Sequence, residues 1–260
     1  MPNRRSSLLL AACGLFLTFA AGCGTQSAPL EVGAKLSGNW AFTTAKPNLA
    51  LNVGFTQGAY ETVSAVARLT GSACVPATTD ITLTGSVSGS NQMTLVSQPF
   101  NGTVLTMKGL VAANSKAMTG VTWSFAGGTC GSLGTIAATA TNYSEIAGTY
   151  NGNFADNSGN AFPISAFLQQ TSQPDQNGQF SLTGTATLPS NPCFVQQPTV
   201  TDSIVTGSSL VMVYTDPGSS TVLNASGTFN SAATQLTIST WSISGGPCDG
   251  DSGTGSLTEQ

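Results

Sequence analysis

The chain has 260 residues, of which 7 are Lys or Arg, 11 are Asp or Glu and none is His. Without histidine, catalytic triads and metal sites that depend on imidazole are excluded. The formal net charge of −4 offers no positive footprint for nucleic acid, and 40% hydrophobic content with only 7% charged residues argues against intrinsic disorder.

Residues 1–22 have the composition of an export signal. Arg4 and Arg5 supply positive charge, residues 6–19 are apolar, and three small residues precede Cys23. The apolar stretch is shorter than the ~20 residues of a membrane span, so it indicates a signal peptide. Small residues directly before a cysteine resemble the lipobox of bacterial lipoproteins. This resemblance implies that Cys23 carries the lipid and becomes the first residue of the mature protein.

Two alternatives accompany this assignment. Cys13 also follows small residues, but cleavage there would leave a very short apolar core. The second alternative is an ordinary secretory signal, in which Cys23 is present by chance.

Residues 23–35 are expected to form the lipidated cysteine and a flexible tether. Acyl chains hold a protein on a bilayer, and Gly24 stands where the lipoprotein family uses Asp for inner-membrane retention. The resemblance therefore implies an outer-membrane location, facing the periplasm or the surface.

The rest of the chain is an internal duplication. Three blocks recur at offsets of 110, 119 and 118 residues. They begin with Leu36-Ser37-Gly38-Asn39-Trp40 and Ile146-Ala147-Gly148-Thr149-Tyr150, and end with Gly127-Gly128-Thr129-Cys130 and Gly245-Gly246-Pro247-Cys248. The duplication predicts two homologous units, 36–143 and 146–260.

Both units are predicted to be all-β. Apolar residues recur at every second position in 49–55, 81–87, 121–125, 162–168, 180–188 and 223–229, and Gly/Asn/Asp/Ser turns separate these segments. The segment Leu210–Tyr214 is apolar throughout, which predicts burial on both faces. Short strands joined by tight turns favour a meandering antiparallel barrel or a sandwich. The Gly-x-Trp and Gly-x-Tyr openings at Gly38 and Gly148 resemble eight-stranded barrels of the avidin and lipocalin type. The whole chain resembles uncharacterised Gly/Ser/Thr-rich envelope lipoproteins.

Four cysteines remain once Cys13 and Cys23 are set aside, and they allow three pairings. The duplication selects one bridge in each unit, Cys74–Cys130 and Cys193–Cys248. An exported protein meets an oxidising compartment, which favours disulfides. The spacing excludes a zinc site with closely spaced cysteine pairs.

Two motifs near residue 250 each resemble part of a functional site but lack some of its residues. Gly250-Asp251-Ser252-Gly253 resembles the nucleophile loop of trypsin-like proteases, but the chain has no histidine to activate a serine. Asp249 and Asp251 form part of a calcium-loop pattern and are weak candidates for metal ligands. Residues 146–260 contain seven acidic and no basic residues, consistent with solubility or with different partners for the two units.

These observations predict a lipid-anchored envelope protein with a non-enzymatic binding or structural role and no cofactor. One alternative is a lipocalin-like or avidin-like carrier of a small apolar ligand. The other is a carboxylate-dependent polysaccharide hydrolase. The expected partners are the membrane, through the lipid anchor, and an envelope polysaccharide, a protein or a small apolar ligand. Nucleic acid is not expected.

Overall fold

The computed structural model describes residues 33–58, 62–76, 79–189 and 191–260. These residues form two consecutive antiparallel β-sheets. The predicted signal peptide 1–22 and Cys23 lie outside the described residues. Within the described parts of the chain, no helix has the length and apolar character needed to span a bilayer.

The first sheet, called barrel 1, contains nine strands in a sheet that returns to its own beginning. The strands are β1 Gly38–Thr43, β2 Ala50–Gln57, β3 Thr62–Thr70, β4 Asp80–Val87, β5 Gln92–Ser97, β6 Val104–Val111, β7 Met118–Ala126, β8 Thr135–Ala137 and β9 Thr139–Tyr143. A short 3₁₀ helix, Gly131–Leu133, precedes β8. β9 pairs with β1 and β8 pairs with β7. Because only Ala138 separates β8 from β9, the two act as one interrupted strand that completes the barrel.

The second sheet, called barrel 2, is a closed barrel in which each strand pairs with the next along the chain. The strands are β10 Ala147–Asp156, β11 Ala161–Gln170, β12 Phe180–Thr187, β13 Thr199–Thr206, β14 Ser209–Thr215, β15 Val222–Phe229, β16 Gln235–Ser244 and β17 Ser252–Glu259. The 3₁₀ helix Gly246–Cys248 lies between the last two strands. Of the two predicted arrangements, the barrel is confirmed. It has the up-and-down architecture shared by lipocalins and streptavidin.

Alternation along the strands produces the barrel interiors. In β12, Phe180, Leu182 and Ala186 are buried, whereas Ser181 and Thr183 are exposed. This is the period of two expected when one face of a strand meets a core and the other meets water. The alternation predicted from the sequence for this segment is confirmed.

Large aromatic side chains fill the interior of barrel 1. The ring of Trp40 lies 6.2 Å from that of Phe42 and 6.4 Å from that of Phe55. Trp40 Nε1 donates to Ser37 O at 3.2 Å, which satisfies the polar end of this buried ring.

Barrel 2 places Tyr150 where barrel 1 has Trp40. The Tyr150 hydroxyl donates to Ala233 O at 2.8 Å. Burial, with a smaller contribution from the negative charge of Glu259, raises the pKa of Tyr150 to about 12. Tyr150 therefore remains a protonated donor at neutral pH. Elsewhere in this interior, the ring of Phe154 stacks on Trp241 with centroids 6.0 Å apart.

The prediction that 210–214 is buried on both faces is wrong. In β14, Leu210, Met212 and Tyr214 are buried, but Val211 is 38% exposed on the outer wall. A barrel made of a single sheet has one interior. The apolar residues that face outward therefore have no second layer of structure to cover them. Two apolar faces in sequence do not by themselves require two buried faces.

Both predicted disulfides are present. Cys74 is joined to Cys130 and Cys193 to Cys248, each with Cα atoms 5.3 Å apart. In each barrel the bridge links the loop after the third strand to the loop after the seventh. Two disulfides are typical of a protein that folds in an oxidising, exported compartment.

The chain just before β1 is packed against barrel 1. Ala34 is buried, and its backbone N–H donates to Asn91 Oδ1 at 2.7 Å. Leu36 is fully buried in the barrel 1 core. The flexible tether predicted for 23–35 therefore does not extend through its last residues, because these are held by the β4–β5 turn.

Candidate functional site

A buried asparagine fastens the two barrels together. Asn39, at the start of β1, is only 2% exposed. Its Nδ2 donates to Gly207 O and its Oδ1 accepts from Gly207 N, both at 2.7 Å. Gly207 lies in the β13–β14 turn of barrel 2 with φ +57°, and a Cβ there would lie 2.0 Å from Asn52 Oδ1. Glycine at this position therefore permits both the positive φ and the close approach of Asn52 to the backbone.

The β11–β12 turn of barrel 2 forms a second contact on the wall of barrel 1. A Cβ at Gly54 would lie 2.6 Å from Gly178 O, and a Cβ at Gly178 would lie 2.3 Å from Val66 O. Backbone therefore meets backbone, with no space for side chains at these two positions. Gly54 and Gly178 give no signal of this contact in the sequence, because glycine occurs in strands and turns for many other reasons.

The short connection between the barrels is also held in place. The ring of Tyr143, the last residue of β9, lies 5.3 Å from the ring of Phe229 in barrel 2. The next residue, Ser144, donates its backbone N–H to Ser231 O at 2.9 Å. The connection is therefore part of the interface and not a loose linker.

These contacts leave a cleft of about 380 Å³ between the barrels, called the inter-barrel cleft. Barrel 1 contributes the start of β1 and the β6–β7 turn, and barrel 2 contributes the β11–β12 hairpin. The lining residues are 37–39, 114–116, 142–145, Gln170, Ser172 and Phe180. Most of these side chains are amides or hydroxyls. Lys116 and Glu145 are exposed and carry opposite charges.

Gln170 is, with Asn39, one of two buried polar residues in the cleft lining. It is 2% exposed, and its Oε1 accepts from Ile146 N at 3.2 Å. Its Nε2 has no hydrogen-bond partner among the described residues. The amide orientation is fixed, because exchanging oxygen and nitrogen would set the NH₂ group against the Ile146 N–H. Trp123 Nε1 in barrel 1 is likewise buried without a hydrogen-bond partner among the described residues.

The duplication offers a direct comparison for Gln170. Gln57 occupies the corresponding place at the end of β2, and its Oε1 accepts from the backbone N–H of Leu36. Leu36 and Ile146 are equivalent in the two repeats. Gln57, however, is half-exposed and lies outside the lining of the cleft. The shared hydrogen bond is therefore structural, and the buried Nε2 is specific to Gln170.

The acidic residues of barrel 2 have structural roles in turns. Asp216 is buried, and its carboxylate accepts four hydrogen bonds of 2.6–3.2 Å, from Val195 N, Gln196 N, Gly218 N and Ser219 Oγ. Burial by itself raises the pKa of Asp216, but these hydrogen bonds outweigh it and hold the pKa below its ordinary value. Asp216 is thus an anion at neutral pH, and its hydrogen bonds connect two loops.

Asp156 and Asp175 stabilise their own turns in the same way. Asp156 accepts from the side chain and backbone of Asn160, which lowers its pKa. Asp175 accepts from the backbone of Asn177 and Gln179 at 2.8 and 2.9 Å. The acidic composition of 146–260 therefore reflects turn formation at these positions.

The weak metal candidates lie at the disulfide end of barrel 2. Asp249 Oδ1 accepts from Gly245 N at 2.8 Å, and the backbone N–H of Asp251 donates to Cys248 O at 3.1 Å. Asp251 also approaches the sulfurs of Cys193 and Cys248 within 4.8 Å. Those sulfurs form a disulfide and not thiolates, so the group lacks the ligands that a metal would need. The structure does not bring Asp249 and Asp251 to the inter-barrel cleft.

No protein-family model matches the chain, and no curated protein matches it significantly in sequence. Two solved structures show distant similarity. A protein of unknown function from Nostoc punctiforme, of the DUF3598 family, is 10% identical with a TM-score of 0.22, covering 88% of this chain and 96% of that one. Kievitone hydratase from Nectria haematococca is 12% identical with a TM-score of 0.24, covering 91% and 95%. Neither similarity assigns this chain to a family.

Proposed function

We propose that this protein is a lipid-anchored, non-catalytic module of the cell envelope that binds a small polar ligand in the inter-barrel cleft. The observation that carries the proposal is the inter-barrel cleft of about 380 Å³, whose lining consists mostly of amide and hydroxyl side chains. The eight-stranded barrel architecture is compatible with a binding role. The location follows from the lipobox-like sequence before Cys23 and is supported by the two disulfides.

A binding role is favoured over hydrolysis because the cleft lining contains one carboxylate and not a pair. A carboxylate-dependent hydrolase needs one acidic group poised to donate a proton and a second close to it. Asp156 and Asp216 instead have pKa values held low by hydrogen bonds within turns. Glu145 contributes a carboxylate to the cleft lining without an acidic neighbour there.

A carrier function inside the barrels receives less support than binding between them. An apolar ligand in barrel 1 would have to displace Trp40, Phe42 and Phe55, which are fully buried and in mutual contact. The interior of barrel 2 is filled in the same way by Phe154 and Trp241. The inter-barrel cleft requires no such displacement.

Retention on isolated envelopes tests the binding role. Soluble protein with Cys23→Ser should be retained saturably on envelopes from its own host, without release of fragments from them. Ser172→Trp places a large ring at an exposed position of the cleft lining and should abolish retention. Ser158→Trp, in the exposed β10–β11 turn, is the matched control and should bind normally. Equal retention of both tryptophan variants, or catalytic release of envelope fragments, would contradict the proposal.

Metabolic labelling tests the anchor. We expect radiolabelled palmitate to enter the wild-type protein and the protein to sediment with membranes. Cys23→Ser should lose the label and become soluble, because each acyl methylene in the bilayer contributes about 0.8 kcal/mol. Cys13→Ser is the control and should keep the label. An unlabelled wild-type protein, or a Cys23→Ser variant that still fractionates with membranes, would rule out anchoring through Cys23.

A further inference from the structure

We infer that the outward-facing side chains of β5, β6 and β7 in barrel 1, called the β5–β7 wall, lie against an anionic phospholipid bilayer. This inference rests on the anchor through Cys23 in the proposed function, and it adds which face of the protein the membrane meets. The place where the chain enters barrel 1, the charge of the wall and its exposed apolar side chains support it.

The chain enters barrel 1 beside one end of this wall. Ala34 is buried, and its N–H donates to Asn91 Oδ1 at 2.7 Å in the β4–β5 turn. Asn91 O in turn accepts from the N–H of Val111, the last residue of β6, at 2.9 Å. Ala34 follows Cys23 by 11 residues, which span at most about 40 Å. A bilayer that holds Cys23 therefore lies within about 40 Å of the end of the β5–β7 wall.

The β5–β7 wall faces away from barrel 2. Barrel 2 contacts the opposite strands of barrel 1, through the hydrogen bonds of Asn39 and the close approach of Gly178 to Gly54. In the order of the sheet, β6 lies four strands from β2. Because β8 and β9 share one position in the ring, this places β6 across the barrel from β2. A flat surface can therefore approach the wall without meeting barrel 2.

The charge of this part of the chain suits an anionic surface. Residues 81–144 contain Lys108 and Lys116 and neither Asp nor Glu. Lys108 is exposed on β6, where it pairs with Thr94 of β5. Lys35, beside the point where the chain enters barrel 1, is also exposed. An anionic bilayer attracts lysines that lie close to its surface.

Exposed apolar side chains occur on the same wall. Leu110 is 47% exposed and Val96 is 42% exposed, and they are the two large apolar side chains that barrel 1 exposes within its described residues. At a bilayer surface, such side chains enter the boundary between headgroups and acyl chains, while a neighbouring lysine keeps its charge at the level of the headgroups. Lys108 and Leu110 provide this combination on one strand.

Barrel 2 offers the competing surface. Phe167 is 52% exposed and Val195 is 71% exposed, so both are more exposed than Leu110. Residues 146–260, however, contain seven acidic and no basic residues. An anionic bilayer repels this charge. The β5–β7 wall is therefore favoured, and barrel 2 is directed away from the membrane.

Sedimentation with vesicles tests the wall without the anchor. Soluble protein with Cys23→Ser would be mixed with vesicles of phosphatidylcholine and phosphatidylglycerol, or of phosphatidylcholine alone. At about 0.1 M salt the Debye length of about 10 Å restricts the attraction to charges near the bilayer. We expect binding to the anionic vesicles to exceed binding to the neutral ones. Lys108→Glu should weaken it about fivefold or more, because an attraction becomes a repulsion.

Lys46→Glu and Phe167→Ser are the matched controls. Lys46 is exposed in the β1–β2 turn, at the other end of barrel 1, so Lys46→Glu makes the same change in net charge away from the wall. Phe167→Ser removes an exposed apolar side chain from barrel 2, as Leu110→Ser does from the wall. Both controls should bind as the parent protein does, and Leu110→Ser should bind about threefold more weakly.

Acetylation of lysines measures the orientation of the anchored protein and needs no variant. Lipidated wild-type protein would be reconstituted into the anionic vesicles, treated with a membrane-impermeant acetylating ester and analysed by mass spectrometry. Lys108 should react several-fold more slowly on vesicles than in detergent, because the bilayer covers it. Lys46 should react equally fast in both.

Three results would overturn the inference: equal binding of Lys108→Glu and Lys46→Glu, loss of binding in Phe167→Ser, or equal protection of Lys108 and Lys46 on vesicles. The second would assign the contact to barrel 2. Palmitate on Cys23 without protection of Lys108 would reject the wall and leave the anchor intact. Vesicle binding that depends on Lys108, in a protein that takes up no palmitate, would reject the anchor alone.

Discussion

Asn39→Ala should lower the free energy of unfolding by about 2–4 kcal/mol and split one calorimetric transition into two. The substitution removes both partners of Gly207 at a buried position, leaving an N–H and a C=O unsatisfied. Without these two hydrogen bonds, each barrel keeps its own core but is stabilised less by its contact with the other barrel. Differential scanning calorimetry at several scan rates measures both effects.

Thr149→Ala is the control for Asn39→Ala. Thr149 occupies the equivalent position of the second repeat and is exposed. An exposed substitution of this kind should change stability by less than about 0.5 kcal/mol. A single transition with an unchanged midpoint in Asn39→Ala would mean that the hydrogen bonds to Gly207 do not couple the barrels. We also expect Asn39→Ala to weaken ligand binding, because the inter-barrel cleft exists only where the barrels are held together.

Removing the disulfide of barrel 2 should have a comparably large effect. The double variant Cys193→Ala/Cys248→Ala should lose about 4 kcal/mol, because the bridge closes a loop with a sequence separation of 55 residues. This corresponds to a Tm lower by roughly 10 °C. Thermal unfolding can be followed by tryptophan fluorescence, which reports on barrel 1 through Trp40 and Trp123 and on barrel 2 through Trp241.

The disulfide of barrel 1 supplies the comparison. Its sequence separation is 56 residues, so Cys74→Ala/Cys130→Ala should lower the free energy of unfolding by a similar amount. The chain-entropy argument would fail if the two double variants differed by several kcal/mol. It would also fail if reduction of the wild-type protein left the Tm unchanged.

Much of the fold was predictable because local patterns and an internal repeat report on the same structure. The alternation of apolar and polar residues in 180–188 predicted a strand with one solvent-exposed face, which the structure confirms. The duplication reduced three cysteine pairings to the one observed. The prediction for 210–214 was wrong because the outward face of a barrel strand tolerates exposed apolar residues such as Val211.

The inter-barrel cleft was not predicted, and the reason is physical. Asn39 and Gly207 are 168 residues apart, and neither lies in a sequence pattern that predicts a contact between barrels. One signal was available: aligning the repeats pairs Gln57 with Gln170 at the ends of equivalent strands. The alignment does not show that Gln170 is buried whereas Gln57 is partly exposed.

Each barrel joins its first strand to its last, at Asn39↔Tyr143 and at Tyr150↔Glu259. During synthesis or translocation, β1 and β10 therefore keep one unpaired edge until the closing strand emerges, and such an edge invites aggregation. Cys248 emerges just before β17. Its disulfide can therefore form in barrel 2 before β17 pairs with β10 and closes the barrel. A chaperone that shields strand edges would protect the chain during this interval, and the oxidant of the compartment would shorten it.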